Sequence, residues 1–113
     1  MIVYIAGKIT GDPEYKQKFA RAAAAWRAAG HTVINPASLP EGLRGKDYMR
    51  ICTAMLEAAD IIILLRDWQE SKGARIEKLL AEYTGKAIIY YDGQESEKGD
   101  SYDRDAKQRD CRH

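Results

Sequence analysis

Two short stretches of the sequence gather side chains able to do chemistry. The richer one, Trp68-Gln69-Glu70-Ser71-Lys72-Gly73-Ala74-Arg75-Ile76-Glu77, combines an aromatic ring, a hydroxyl, a glycine at a helix start and a carboxylate one turn further on. At that spacing Ser71 and Glu77 can reach a single ligand, with Gly73 at the helix start and Trp68 available to stack against it. The plainer reading of the same residues is that Ser71 caps a helix and Glu77 is a solvated helix charge beside Lys78, and spacing alone favours it. For Trp68, covering a core edge is as good an account as stacking. The other stretch, Gly7-Lys8-Ile9-Thr10-Gly11, pairs two glycines with an ammonium and a hydroxyl. Glycines let backbone N–H groups approach an anion, and Lys8 can neutralise a phosphate. The stretch lacks both the Walker spacing and the full dinucleotide fingerprint, so a plain turn and an anion cradle fit it equally well.

The elements that must hold these loops are legible as periodicity. Ile2 to Ala6 is a short run of β-formers, nearly all apolar, ending at Gly7. Such runs suit strands buried on both faces, as in parallel sheets. From Pro13 to Ala29 the residues Phe19, Ala22, Ala23, Trp26 and Ala29 recur at helical spacing, with Asp12 as the expected N-cap and Gly30 as the stop. Thr32 to Ile34 reads as a second strand closed by Asn35-Pro36. After a loop from Ala37 to about Lys46, Asp47 is the expected cap of a second helix. The stripe of that helix, Tyr48, Ile51, Cys52, Met55, Leu56 and Ala59, faces the sheet. Ile61-Ile62-Ile63-Leu64-Leu65 is the strongest strand, and only a central parallel strand is usually so apolar. Gly73 to Thr84 follows as a third helix with the stripe Ile76, Leu79, Leu80 and Tyr83, ended by Gly85. Ala87 to Tyr91 supplies a fourth strand.

Strand and helix alternate throughout, which predicts an α/β fold of three layers: a four-stranded parallel sheet in the order 2-1-3-4 with helices on both faces. In such sheets a ligand sits outside the carboxyl ends of the strands where the order reverses, here between strands 1 and 3. Both chemistry-bearing loops belong at that point.

At 113 residues the chain is long enough for one core and too short for two. We expect one domain at 1–91 and a charged, aperiodic tail at 92–113 that is poorly ordered. Lys and Arg total 18 against 17 Asp and Glu, which leaves no basic stripe for a nucleic-acid backbone. No stretch approaches the roughly 20 apolar residues that span a bilayer, and no basic segment precedes Ile2, so a soluble, cytoplasmic protein without a membrane partner is expected. Cys52 falls in a helical pattern and Cys111 in the polar tail, an arrangement that fits a reducing compartment rather than a disulfide. Cys111 and His113 are too few ligands for a metal. His31 suits the end of a helix, Asp60 the turn into strand 3, and Tyr15 either borders a pocket or covers the first helix.

Five short motifs, in order and on the right elements, carry a resemblance. Tyr4-Ile5-Ala6-Gly7 with Thr10-Gly11, Asn35-Pro36, Ala59-Asp60-Ile61, Ser71-x-Gly73-Ala74-x-x-Glu77 and Gly85-Lys86 resemble the nucleoside 2-deoxyribosyltransferase superfamily over Met1 to about Tyr91. The chain is most similar to a small phage- and bacteria-borne branch of unassigned function and, in outline, to the deoxynucleoside 5′-monophosphate N-glycosidases. The resemblance implies a Rossmann- or flavodoxin-like sheet, no cofactor, a homodimer or larger assembly, and a nucleoside or nucleotide as the small-molecule partner. It also implies a nucleophile at Glu77 that attacks the anomeric carbon and forms a glycosyl ester, which water or a second base resolves. Carried over residue by residue, the 5′-phosphate of the glycosidases would be held by Gly7, Lys8, Thr10, Gly11 and Ser71, with Lys8 at a position that is serine there. The superfamily commonly has an aspartate in the second helix that assists the leaving base, and by alignment from Asp60 that position is Cys52, a weak donor that packs as a small hydrophobe. Asp47 lies more than a turn earlier. Either another residue such as Asp67 activates the leaving group, or turnover is slow, or the chain binds a nucleotide without cleaving it. An interaction module that ignores nucleotides is the third reading.

Overall fold

The computed structural model describes residues 1–91, in the order β1 (Ile2–Ala6), α1 (Tyr15–Ala28), β2 (Thr32–Ile34), α2 (Gly45–Glu57), β3 (Ile61–Leu65), α3 (Lys72–Tyr83) and β4 (Ala87–Tyr91). Single 3₁₀ turns at Pro36–Ser38 and Trp68–Glu70 interrupt the loops after β2 and β3. The expected tail, with Cys111 and His113, lies outside the described residues. The four strands pair in parallel in the order β2-β1-β3-β4, as the alternation of elements predicts.

Because side chains alternate along a strand, the sheet divides its residues between two cores. Val3, Ile5, Ile61, Ile63 and Leu65 pack with Phe19, Ala22, Ala23 and Trp26 of α1. On the other face, Tyr4, Ala6, Ile62, Leu64 and Ile88 meet Cys52 and Leu56 of α2 and Ala74 and Ala81 of α3. Every residue of β3 is buried, in keeping with its central place. Asp60 fixes the entry to β3: its carboxylate accepts the Ile2 N–H at 2.9 Å, and its own N–H donates to the Ile2 carbonyl at 2.7 Å.

Each of the three helices differs in detail from the sequence reading. α1 begins at Tyr15, and Asp12 does not cap it; its Oδ1 accepts the Glu14 N–H at 2.9 Å and its Oδ2 meets the Lys18 ammonium at 2.5 Å. α2 begins at Gly45, so Asp47 lies inside its first turn, where it pairs with Arg44 at 2.6 Å and with Arg50. Of the expected α2 stripe, Ile51 faces solvent while Cys52 and Leu56 are fully buried. The largest correction falls on α3, where Ile76, Leu79 and Tyr83 are 48, 63 and 90 % exposed. Its buried face is Ala74, Glu77 and Ala81. Two small side chains flank Glu77 on that face, so the carboxylate is carried inward with them.

Gly7 shows why the first loop lies against the end of β3. A Cβ at this position would stand 2.9 Å from Leu65 Cδ1, closer than packed atoms tolerate, and a tight 3.2 Å from Asp67 Oδ1. With hydrogen there, the Lys8 N–H reaches Asp67 Oδ1 at 3.0 Å, and the loops after β1 and β3 run side by side at the reversal point.

Candidate active site

Glu77 is the buried charged residue of the described chain, 5 % exposed, and its Oε2 accepts a hydrogen bond of 2.8 Å from the Tyr4 hydroxyl. This overturns the reading of Glu77 as a solvated helix charge. Burial pushes its carboxyl up to about 7, although the Tyr4 hydrogen bond, which favours the ionised form, pulls it partly back. Tyr4 in turn is held far above the ordinary phenol range, first by burial and then by the Glu77 charge, so it remains a donor. The Cys52 thiol lies against the same group. Burial pushes it up, hydrogen bonds with Tyr4 and Tyr48 work the other way, and the Glu77 charge adds to the rise. Tyr48 is likewise raised, chiefly by burial, and donates to the Pro36 carbonyl at 3.2 Å.

These residues border a cavity of about 530 Å³, within the range of small-molecule sites. Its wall includes the end of β1 from Tyr4 to Gly7, Thr10 and Tyr15, the start of α3 at Ser71 and Gly73, and Glu77 itself. Ser71 caps α3, its Oγ accepting the Ala74 N–H at 3.0 Å, and it also lines the cavity. A hydroxyl that accepts in this way keeps its own O–H to donate.

The structure therefore brings Gly7, Thr10, Ser71, Gly73 and Glu77 to one cavity, and leaves Lys8, Gly11 and Trp68 off its wall. Lys8 is drawn away by Glu70, with its Nζ 3.1 Å from the carboxylate. Gly11 serves a turn at φ +83°. The Trp68 ring packs beside Tyr90, with centroids 6.2 Å apart, and carries the Lys78 ammonium on its face. Asp67, the candidate substitute acid, is also off the wall, bridged to Lys18 and to the Lys8 N–H. Two parts of the cavity were missed. One is Tyr4, whose signal was available, since a hydroxyl in a strand buried on both faces must find a polar partner. The other is the loop from Leu39 to Leu43, with Glu41 on the wall, which has no periodicity to betray its place.

A parallel 2-1-3-4 sheet with a cavity at its reversal point is an α/β architecture consistent with the nucleoside 2-deoxyribosyltransferase-like fold that the five motifs imply, and two comparisons support that likeness. The chain belongs to the family described as Domain of unknown function (DUF4406), which matches residues 1–90. A solved 2-deoxyribosyltransferase from the psychrotolerant bacterium Bacillus psychrosaccharolyticus, characterised as a biocatalyst for nucleoside synthesis, is similar in structure. The TM-score is 0.64 at 20 % identity, covering 85 % of this chain and 75 % of that one. No curated protein matches the sequence. Among the described residues, no helix is long and apolar enough to cross a membrane.

Proposed function

We propose that this protein cleaves the N-glycosidic bond of a nucleoside or nucleoside 5′-monophosphate, or transfers its deoxyribosyl group, with Glu77 as the nucleophile. One observation carries the reading: a carboxylate buried to 5 % exposure, hydrogen-bonded by Tyr4, in a cavity it shares with the Gly7 turn and Ser71. The ionised carboxylate attacks the anomeric carbon as the bond to the base breaks. The bonding pair leaves with the base, which takes up a proton, and water or a second base then displaces the ester and frees Glu77. Neither Cys52 nor Asp67 stands on the wall to deliver that proton, which therefore comes from another group on the wall or from solvent. The fold shared with the Bacillus enzyme supports glycosyl chemistry in general, and the buried free thiol of Cys52 fits a cytoplasmic setting. We further propose that a second copy covers the outer face of α3, where Ile76, Leu79 and Tyr83 lie exposed at helical spacing.

Incubation with deoxynucleosides and their monophosphates should release free base, measured chromatographically, and Glu77→Gln should slow the release at least about a thousandfold. Release at the native rate from that variant would refute the assignment. The position of Cys52 favours a second reading, a protein that binds nucleotides without cleaving them. A binder would be thermally stabilised by nucleotide with no base released, and Cys52→Asp would not help it. A scaffold lacking only its acid should gain rate from that substitution.

A further inference from the structure

We propose that the Tyr48 hydroxyl delivers the proton that the departing base takes up, an inference that rests on the glycosidic reading of the site and adds a catalytic residue to it. Among the described residues, two carboxyls stand on the cavity wall. Glu77 is the nucleophile, and the Lys16 ammonium, 2.5 Å from Glu41, holds that carboxyl below the usual carboxylate range, so it has no proton to give at neutral pH. The hydroxyls of Thr10 and Ser71 are aliphatic and far weaker acids than a phenol, whose ordinary value is about 10. Three phenols remain on the wall. Tyr4 is committed to Glu77. Tyr15 stacks edge-on against Phe19 in the core on the far face of the sheet. Tyr48 packs on the near face, with Tyr4, Cys52 and the buried side of α3 that carries Glu77.

Tyr48 and Cys52 lie one turn apart on one face of α2, with Tyr48 nearer the helix start, the end that meets the cavity at Gly45. The phenol therefore reaches the wall where the thiol does not. Its proton is loosely engaged: the bond to the Pro36 carbonyl is 3.2 Å, beyond the roughly 2.5–3.0 Å usual for an O–H donor to oxygen. Glu77 comes from α3 and Tyr48 from α2, so nucleophile and proton donor enter the cavity from different elements, as two groups that flank a scissile bond must. Burial holds Tyr48 above the ordinary phenol range, and the Glu77 charge adds to the rise. Once the carboxylate becomes an ester that charge is gone, and the phenol yields its proton more readily as the base departs. The Tyr48 O–H bond breaks, its proton joins the nitrogen that received the C–N bonding pair, and a phenolate remains. The water that opens the ester returns a proton to that phenolate; in a transfer, the N–H of the second base does so.

Base release in a single turnover tests the role. With the common deoxynucleosides, Tyr48→Phe should slow release at least about a hundredfold. With 7-methyldeoxyguanosine, whose base already carries a positive charge and departs neutral without a proton, the same variant should stay within about threefold of the unaltered protein. That retained release also shows that the variant folds. An equal fall with both substrates would overturn the inference, because Tyr48 would then only hold the wall in shape. An unchanged rate with the common deoxynucleosides would overturn it too. Release lost in Glu77→Gln but full in Tyr48→Phe would keep the glycosidic reading and strike Tyr48 alone, whereas no release by the unaltered protein from any of these substrates would remove the reading and the proton donor together.

Discussion

At the residue scale, the site is a balance between burial, which drives the Glu77 carboxyl toward neutrality, and a single hydroxyl that restrains it. A pKa of about 7 leaves the nucleophile roughly half ionised at neutral pH, so the rate of base release should rise with pH through that value. Tyr4→Phe removes the donor that stabilises the anion. The acid limb of the pH–rate profile should therefore move upward by about one to two units, since a hydrogen bond to a charged group is worth roughly 1.5–3 kcal/mol. A limb that stays in place while the rate falls equally at every pH would show that Tyr4 acts on something other than the ionisation of Glu77. The residues of this site were unevenly legible. The spacing from Ser71 to Glu77 was written in the sequence, because both ends of that motif belong to the first two turns of one helix and its cap. The fate of Lys8 was not, because Glu70, which draws it away, is 62 residues along the chain and on another loop. Loop charges choose partners by fold, and no local pattern records the choice.

At the scale of elements, the strands were readable because a central parallel strand is apolar on both faces, and β3 is buried at all five positions. The helices were readable in place but not in orientation. On α3 the large apolar residues suggest an inward stripe of Ile76, Leu79, Leu80 and Tyr83, yet of these Leu80 alone packs against the core, and the helix buries Ala74, Glu77 and Ala81 while Ile76, Leu79 and Tyr83 turn outward. Apolar size marks a face that needs covering, and within one chain that face is taken to be the core. An outward stripe is what a second copy would bury. Leu79→Glu should accordingly shift the sedimenting species from dimer or larger to monomer. Its effect on the unfolding free energy of the monomer should stay within about 0.5 kcal/mol, as for other exposed positions. If the unaltered protein sediments as a monomer, the proposed contact along α3 is wrong.

For the whole molecule, the site opposes stability. Folding places Glu77 where its ionised form is disfavoured, raising its carboxyl from 4.5 to about 7. A carboxyl raised in this way binds its proton more tightly when folded, so the stability it contributes is intact below pH 4.5. That stability is lost as pH rises toward 7, and the full cost remains above it. A shift of this size corresponds to about 3 kcal/mol, a large fraction of what a domain of this length can hold in reserve. Glutamine in the same place keeps an acceptor for the Tyr4 hydroxyl and carries no charge to desolvate. Glu77→Gln should therefore be more stable than the unaltered protein at pH 8, by up to about 3 kcal/mol in denaturant titrations, and the two should converge below pH 4.5. Equal stability at both pH values would mean that water reaches the carboxylate in solution, and that burial does not set its ionisation. A variant that is stabilised at pH 8 and also fails to release base would separate the two demands on this residue. The fold would be better served by a neutral side chain, and the charge would be retained for chemistry alone.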